Sequence, residues 1–251
     1  MHPILFQIGN LTIYSYGVFT VLSIVVSYII FYYLTKKEKL QGFAIDLLFI
    51  SLIFTGLIGA RIAYVLEHWD IFFPVWWWKL FFFWEKGLSL YGGVILSILF
   101  TMVYTKVFKL PLWEIFDIIG ISGIFAVGIG RLGCFSLGCC YGKPTSLPIG
   151  IVFPSTPYTV APHNIPLWPT QLMEFLGNIL IGIILFFIWK SRKKPGLVFA
   201  FTLIFYGFER FWLEFVRDVT PIIQPIGLTW NQIVSILMII LGALILLKFK
   251  R

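Results

Sequence analysis

The sequence predicts an all-α polytopic membrane protein of about seven transmembrane helices, forming a single integral membrane domain over residues 1–251. Three observations predict this. Hydrophobic residues make up 59% of the chain and charged residues only 12%, against about 25% charged in an average soluble domain. The mean hydropathy is +0.95, and apolar runs near the roughly 20 residues that a spanning helix needs recur along the chain. Aromatic residues reach 19%, with 27 Phe, and many cluster where interfacial belts lie. In this setting the net charge of +8 reflects cytoplasmic loops and anionic lipid, and argues for no nucleic-acid partner. The three Cys all fall between 134 and 140, an odd count that is not a disulfide scaffold. No basic n-region or small-residue cleavage site precedes the first apolar run, so no removable signal peptide is expected.

The predicted spans are 14–34, 46–66, 88–108, 114–130, 170–189, 197–214 and 230–247. The fourth and sixth are short, and arginines lie at their ends. Lys36, Lys37, Lys39, Lys106, Lys109, Lys190, Arg192, Lys193, Lys194, Lys248, Lys250 and Arg251 fall in one set of loops, 12 of the 19 Lys and Arg. The positive-inside rule places that set in the cytoplasm. The N-terminus is then outside, the C-terminus inside and the span count odd. Arg131, Arg210 and Arg217 lie toward the outer leaflet. Residues 68–86, rich in Trp and Phe but broken by charge and Pro, read as an amphipathic arm in the outer interface. Residues 141–168, with six Pro, read as a small extracytoplasmic head with short strands, 149–153 being the best candidate.

The most informative stretch is Gly130-Arg131-Leu132-Gly133-Cys134-Phe135-Ser136-Leu137-Gly138-Cys139-Cys140-Tyr141-Gly142, which follows an apolar run ending at Ile129. A charge near hydrocarbon is expensive and usually binds something. Glycines let a backbone turn sharply and approach a ligand. A guanidinium in such a loop can grip a phosphate with two parallel hydrogen bonds.

Other polar groups near the membrane divide between structure and function. Arg61 either snorkels to the interface or pairs with a carboxylate, or it supports a headgroup site. Arg210, Glu214 and Arg217 share one helical face. Two arginines against one carboxylate leave a positive surplus that a phosphate could take. Thr170 is placed to cap the fifth span and Glu174 to favour its dipole. Gln171 and Glu174, three apart, could instead line a cavity. Tyr91 is a belt aromatic or a phenol facing the headgroup site. Cys134, Cys139 and Cys140 offer no fourth metal ligand beyond His163 and no paired spacing, so neither metal nor cofactor is expected. No His stands beside them to act as a base, which leaves tight-loop packing as the default and a nucleophilic role in reserve.

Taken together these residues resemble the prolipoprotein diacylglyceryl transferase family of bacterial inner membranes, over nearly the whole chain. Tyr14-Ser15-Tyr16-Gly17 resembles the family's aromatic-Tyr-Gly element, and Gly59-Ala60-Arg61-Ile62 its Gly-Gly-Arg-Ile. Gly87-Leu88-Ser89-Leu90-Tyr91-Gly92-Gly93 resembles Gly-Met-Ser-Phe-His-Gly-Gly. Gly130-Arg131-Leu132-Gly133-Cys134-Phe135 resembles Gly-Arg-Leu-Gly-Asn-Phe. Pro169-Thr170-Gln171-Leu172-Met173-Glu174 resembles Pro-Ser-Gln-Leu-Tyr-Glu. Arg210 to Arg217 resembles Arg-Phe-x-x-Glu-Phe-x-Arg, and Gly227 to Gln232 resembles Gly-Leu-x-x-x-Gln.

The chain departs from the pattern at several polar positions. The family His falls on Tyr91, its signature Asn on Cys134, a second Asn on Leu137 and its Glu on Cys139. Trp168 and Met173 stand for a His and a Tyr.

The resemblance implies transfer of a diacylglyceryl group from phosphatidylglycerol to the lipobox Cys of a prolipoprotein signal peptide, within the bacterial plasma membrane and among its lipids. It implies Arg131 and Arg210 as phosphate clamps, with Arg61 and Arg217 supporting and Glu214 orienting Arg210. Tyr91, Tyr141 or Cys139 would stand where a base is needed. Tyr16, Gly133, Cys134, Gly142, Gln171 and Glu174 would line the substrate site. A transferase with the same donor and another acceptor, or a non-catalytic phospholipid-binding protein, remain as alternatives.

Overall fold

The computed structural model describes residues 2–9, 11–69, 78, 87, 89–219 and 227–250. The elements run β1 (Ile4–Ile8), β2 (Leu11–Tyr14), α1 (Ser15–Lys37), α2 (Phe43–Glu67), α3 (Leu90–Val107), α4 (Leu112–Leu137), β3 (Ile151–Val152), β4 (Pro166–Leu167), α5 (Thr170–Ser191), α6 (Leu197–Leu213) and α7 (Trp230–Lys250). All helices but α6 are long and apolar enough to cross a membrane, and α6 is a 17-residue apolar helix. The chain is a multi-pass membrane protein.

Seven helices stand where the seven spans are expected, with one substantive correction. The fourth helix does not end at Gly130. It continues to Leu137, so Arg131, Gly133 and Cys134 sit on a helix and not in a glycine loop. Two helical glycines cost roughly 1 kcal/mol each relative to Ala, which tertiary packing here overrides. The turn begins at Gly138, whose φ of 73° provides the left-handed residue that commonly ends a helix. The N-terminal hairpin was not anticipated. β1 and β2 pair antiparallel, Ile8 opposite Leu11. Gly9, at φ 56°, opens the tight connection. The expected strand over 149–153 shrinks to β3, paired with β4. Apart from His68, Trp69 and Trp78, the expected arm over 68–86 lies outside the described residues.

Two compact units emerge, Met1–Leu34 with Phe116–Arg251, and Thr35–Ile115. In the second, α2 and α3 pack backbone against backbone. A β-carbon on Gly92 would lie 2.3 Å from the Gly59 carbonyl oxygen, and one on Gly93 would lie 2.7 Å from that of Gly56. Small residues at such spacing let apolar helices associate without a hydrophobic driving force. Ser89 joins them by donating its backbone N–H to Ala60 O at 2.9 Å and its hydroxyl to Glu67 Oε1 at 2.7 Å.

The first unit inverts the soluble pattern. On α5 the exposed residues include Leu176, Leu180 and Phe187, while Gln171, Glu174 and Asn178 are buried. Lipid suits the first set, and the polar set must find partners inside. α6 and α7 approach closely at Gly207, where a β-carbon would lie 2.9 Å from Ser235 O. The α5–α6 junction is tied by buried Asp117. Its Oδ2 pairs with Arg192 Nη1 at 2.6 Å and accepts from Gly196 N at 2.9 Å, and its Oδ1 accepts from Phe199 N at 2.7 Å. Those amides are among the unpaired donors that open α6. Residues 138–168 fold over a small core of Phe153, Ala161 and Leu167, against which Phe135, Tyr141 and Ile151 pack.

Candidate active site

Three helices and a loop bring charges together inside the first unit. Glu174, one turn into α5, receives Arg131 from α4 at 2.7 Å (Nη2 to Oε1) and Arg210 from α6 at 3.2 Å (Nη1 to Oε2). Arg210 Nη2 also reaches Glu214 Oε2 at 3.3 Å, and Arg217 Nη1 reaches the same oxygen at 3.5 Å. The other oxygen of Glu214 accepts from Thr229 Oγ1 at 3.2 Å and from Asn231 Nδ2. Three guanidiniums thus share two carboxylates, and all five side chains are at most 13% exposed. Buried charges persist when paired and hydrogen-bonded. This set is paired yet retains one positive charge in excess.

The helix pattern accounts for the arrangement. Arg210, Glu214 and Arg217 share a face because they are four and three residues apart. Glu174 faces inward because the opposite side of α5 is Leu176 and Leu180. Thr170 does not cap its own helix. Its hydroxyl donates to Cys140 O at 2.7 Å, and Gln171 Nε2 donates to Cys139 O at 2.7 Å. The start of α5 therefore holds the loop that follows α4. Glu174 serves its ion pairs and lies beyond the first turn of α5.

Gly142 and Arg217 pair as an isolated antiparallel bridge, and Lys143 N donates to Val216 O at 2.8 Å. A β-carbon on Gly142 would lie 2.5 Å from Trp168 Cβ and 2.7 Å from Val216 O, so only glycine fits this crossing. Gly133 packs closely against α1, with Tyr16 Cδ2 at 3.2 Å from a β-carbon there. Tyr141 packs on the Phe153 core, and its carbonyl accepts from Asp218 N at 3.4 Å.

The thiols form a cluster. The Sγ atoms of Cys134, Cys139 and Cys140 lie within 4.8 Å of one another, and Arg131 Nη1 stands 4.0 Å from Cys134 Sγ. Hydrogen bonds from Cys134 and Cys139, then the charges of Arg131 and Arg217, hold the Cys140 thiol below its ordinary range against the opposing effect of burial. The Cys139 thiol is pushed up, chiefly through its hydrogen bonds to the other two.

Arg61 and Tyr91 belong to the second unit. Arg61 is fully buried. It donates Nη1 to Gly87 O at 3.1 Å and lies 5.8 Å over the Tyr64 ring. It is not a snorkelling side chain. Tyr91 sits in the first turn of α3.

Sequence reasoning missed Thr229 and Asn231, whose contacts to Glu214 cross 15 and 17 residues. It also missed Glu209. Both oxygens of that buried carboxylate lack a hydrogen-bond partner among the described residues.

A buried network of three arginines and two glutamates within an apolar helix bundle marks a multi-pass membrane protein with a charged interior site. The family model described as prolipoprotein diacylglyceryl transferase matches residues 3–248. Similar proteins carry the name phosphatidylglycerol–prolipoprotein diacylglyceryl transferase. The one from Clostridium tetani is 34% identical, covering 96% of this chain and 95% of its own length. That from Mannheimia succiniciproducens is 35% identical, covering 99% and 93%. A relative from Clostridium perfringens, with the same name numbered 2, is 31% identical, covering 98% and 94%. The chain belongs to the prolipoprotein diacylglyceryl transferase family.

Proposed function

We propose that this protein transfers the diacylglyceryl group of phosphatidylglycerol to the lipobox cysteine of prolipoproteins. The observation that carries the reading is the buried Arg131–Glu174–Arg210–Glu214–Arg217 network, in which three guanidiniums converge on two carboxylates. In the reaction the acceptor thiolate attacks the glyceryl carbon that bears the phosphate ester. The C–S bond forms, the C–O bond breaks, and glycerol 1-phosphate leaves with the electron pair. Arg131 and Arg210 hold the phosphate and meet the charge that develops on it, and Arg217 supports them. Donors fixed in a dry site before the reaction stabilise such charge most effectively. Glu174 and Glu214 act by positioning these guanidiniums. The family resemblance further assigns Arg61 a supporting role and Tyr91 that of a hydrogen-bond donor or base. Tyr16, Gly133, Cys134, Cys139, Tyr141, Gly142 and Gln171 shape the surrounding pocket.

The basic residues orient the chain. The Lys190 to Lys194 end faces the cytoplasm of a bacterial plasma membrane, and the Arg131 end faces the outer leaflet. Residues 141–168 are then an extracytoplasmic head, and the whole chain acts as a single integral domain.

The test uses proteoliposomes holding phosphatidylglycerol, a fluorescent lipobox peptide and either the wild type or Arg131→Ala. A peptide of shifted mobility that forms only with the wild type supports the reading. No shift, with phosphatidylglycerol still bound, would move the proposal to a different acceptor. Neither shift nor binding would overturn it.

A further inference from the structure

The three cysteines converge on one point. They come from two places, Cys134 on the last turn of α4 and Cys139 and Cys140 in the turn beyond it, yet their sulfurs lie within 4.8 Å of one another. All three are free thiols of intermediate burial, so a small ion can reach them.

The frame that holds them is built from other residues. Cys139 N donates to Cys134 O at 3.1 Å. Gln171 Nε2 and Thr170 Oγ1 each donate, at 2.7 Å, to the carbonyls of Cys139 and Cys140. The end of α4, the turn and the start of α5 therefore place three sulfurs before any ligand arrives.

Three sulfurs around one ion at about 2.3 Å stand about 4 Å apart, which a cluster of this size meets with small side-chain rotations. Thiolates are soft ligands and select soft cations. No His, Asp or Glu joins the ligand cluster among the described residues. A tetrahedral ion would lack a fourth protein ligand here, whereas a three-coordinate ion needs none. Three thiolates around a monovalent ion carry net negative charge, and Arg131, 4.0 Å from Cys134 Sγ, lies where it offsets that charge.

We infer that Cys134, Cys139 and Cys140 form a three-coordinate site for a soft thiophilic cation of the Cu(I) class. Each thiol releases its proton to water as its metal–sulfur bond forms, and the copper remains Cu(I) throughout. The site does not depend on the transfer reaction or on its acceptor.

The experiment titrates the reduced, detergent-purified full-length chain anaerobically with Cu(I) against a competing Cu(I) chelator. X-ray absorption then reports the copper neighbours. The expected result is one Cu(I) per chain, surrounded by sulfur alone at about 2.3 Å. Retention should fall by about 100-fold in Cys139→Ala and in Cys134→Ala, the upper end of what losing even an outer partner costs a metal site. Failure of the wild type to hold copper against the chelator would overturn the inference. So would retention equal to the wild type in both variants, or oxygen and nitrogen neighbours in the wild-type spectrum. That spectrum decides the question even where a variant fails to fold.

Discussion

Glu174→Gln keeps the shape of the bridging side chain and removes the one negative charge between Arg131 and Arg210. The side chain is 3% exposed and its two contacts span 2.7 and 3.2 Å. Arg210 retains Glu214 at 3.3 Å, but Arg131 is left facing a neutral amide in a buried site. Removing one partner of a buried ion pair costs about 3–5 kcal/mol, because the remaining charge stays desolvated. The amide oxygen still accepts one hydrogen bond, which places this variant near 3 kcal/mol. At a few degrees per kcal/mol for a chain of this size, the unfolding midpoint should drop by about 10 °C. Removing the stranded cation as well should recover part of the loss. In an Arg131→Met background the further cost of Glu174→Gln should be smaller, with a coupling of about 1–3 kcal/mol. Thermal unfolding followed by tryptophan fluorescence, with the protein in lipid nanodiscs, measures all four members of the cycle. A midpoint within about 2 °C of wild type, or strictly additive effects of the two changes, would refute the idea that Glu174 holds the arginines in place.

Arg131→Ala should lower lipobox-peptide modification by about 10²–10³-fold, the scale seen when one electrostatic donor is removed, with little change in circular dichroism. Asp117→Ala should destabilise the first unit by about 3–5 kcal/mol, since it strands Arg192 and two amides at the start of α6; a thermal scan checks it. Gly92→Leu should prevent the α2–α3 contact, because a β-carbon there already meets Gly59 O at 2.3 Å; loss of folded yield in detergent is the readout. Gly138→Ala should cost about 1 kcal/mol for a left-handed alanine, and more where its β-carbon meets Thr159 Cγ2 at 2.9 Å; an unchanged unfolding midpoint would speak against that turn.

The number and apolar character of the helices were legible in the sequence because each spanning helix satisfies its own backbone, so composition over about 20 residues suffices. The pairing of Arg210, Glu214 and Arg217 was legible for a related reason, since helical spacing alone puts them on one face. The N-terminal hairpin was harder, because its nine strand residues give too short an alternation to outweigh the apolar run that follows. The end of α4 was misjudged on its glycines. Local propensity there is overridden by close packing at Gly133 and by the turn at Gly138. The bridge from Glu174 to Arg131 crosses 43 residues of chain, as the numbering shows. The clustering of three thiols depends on hydrogen bonds from Thr170 and Gln171, some 30 residues away. Sequence determined which segments enter the membrane and which residue types are costly there. Only the tertiary structure decided which buried charges meet, because Coulomb energy and hydrogen bonding depend on distance in space and leave no periodic trace along the chain.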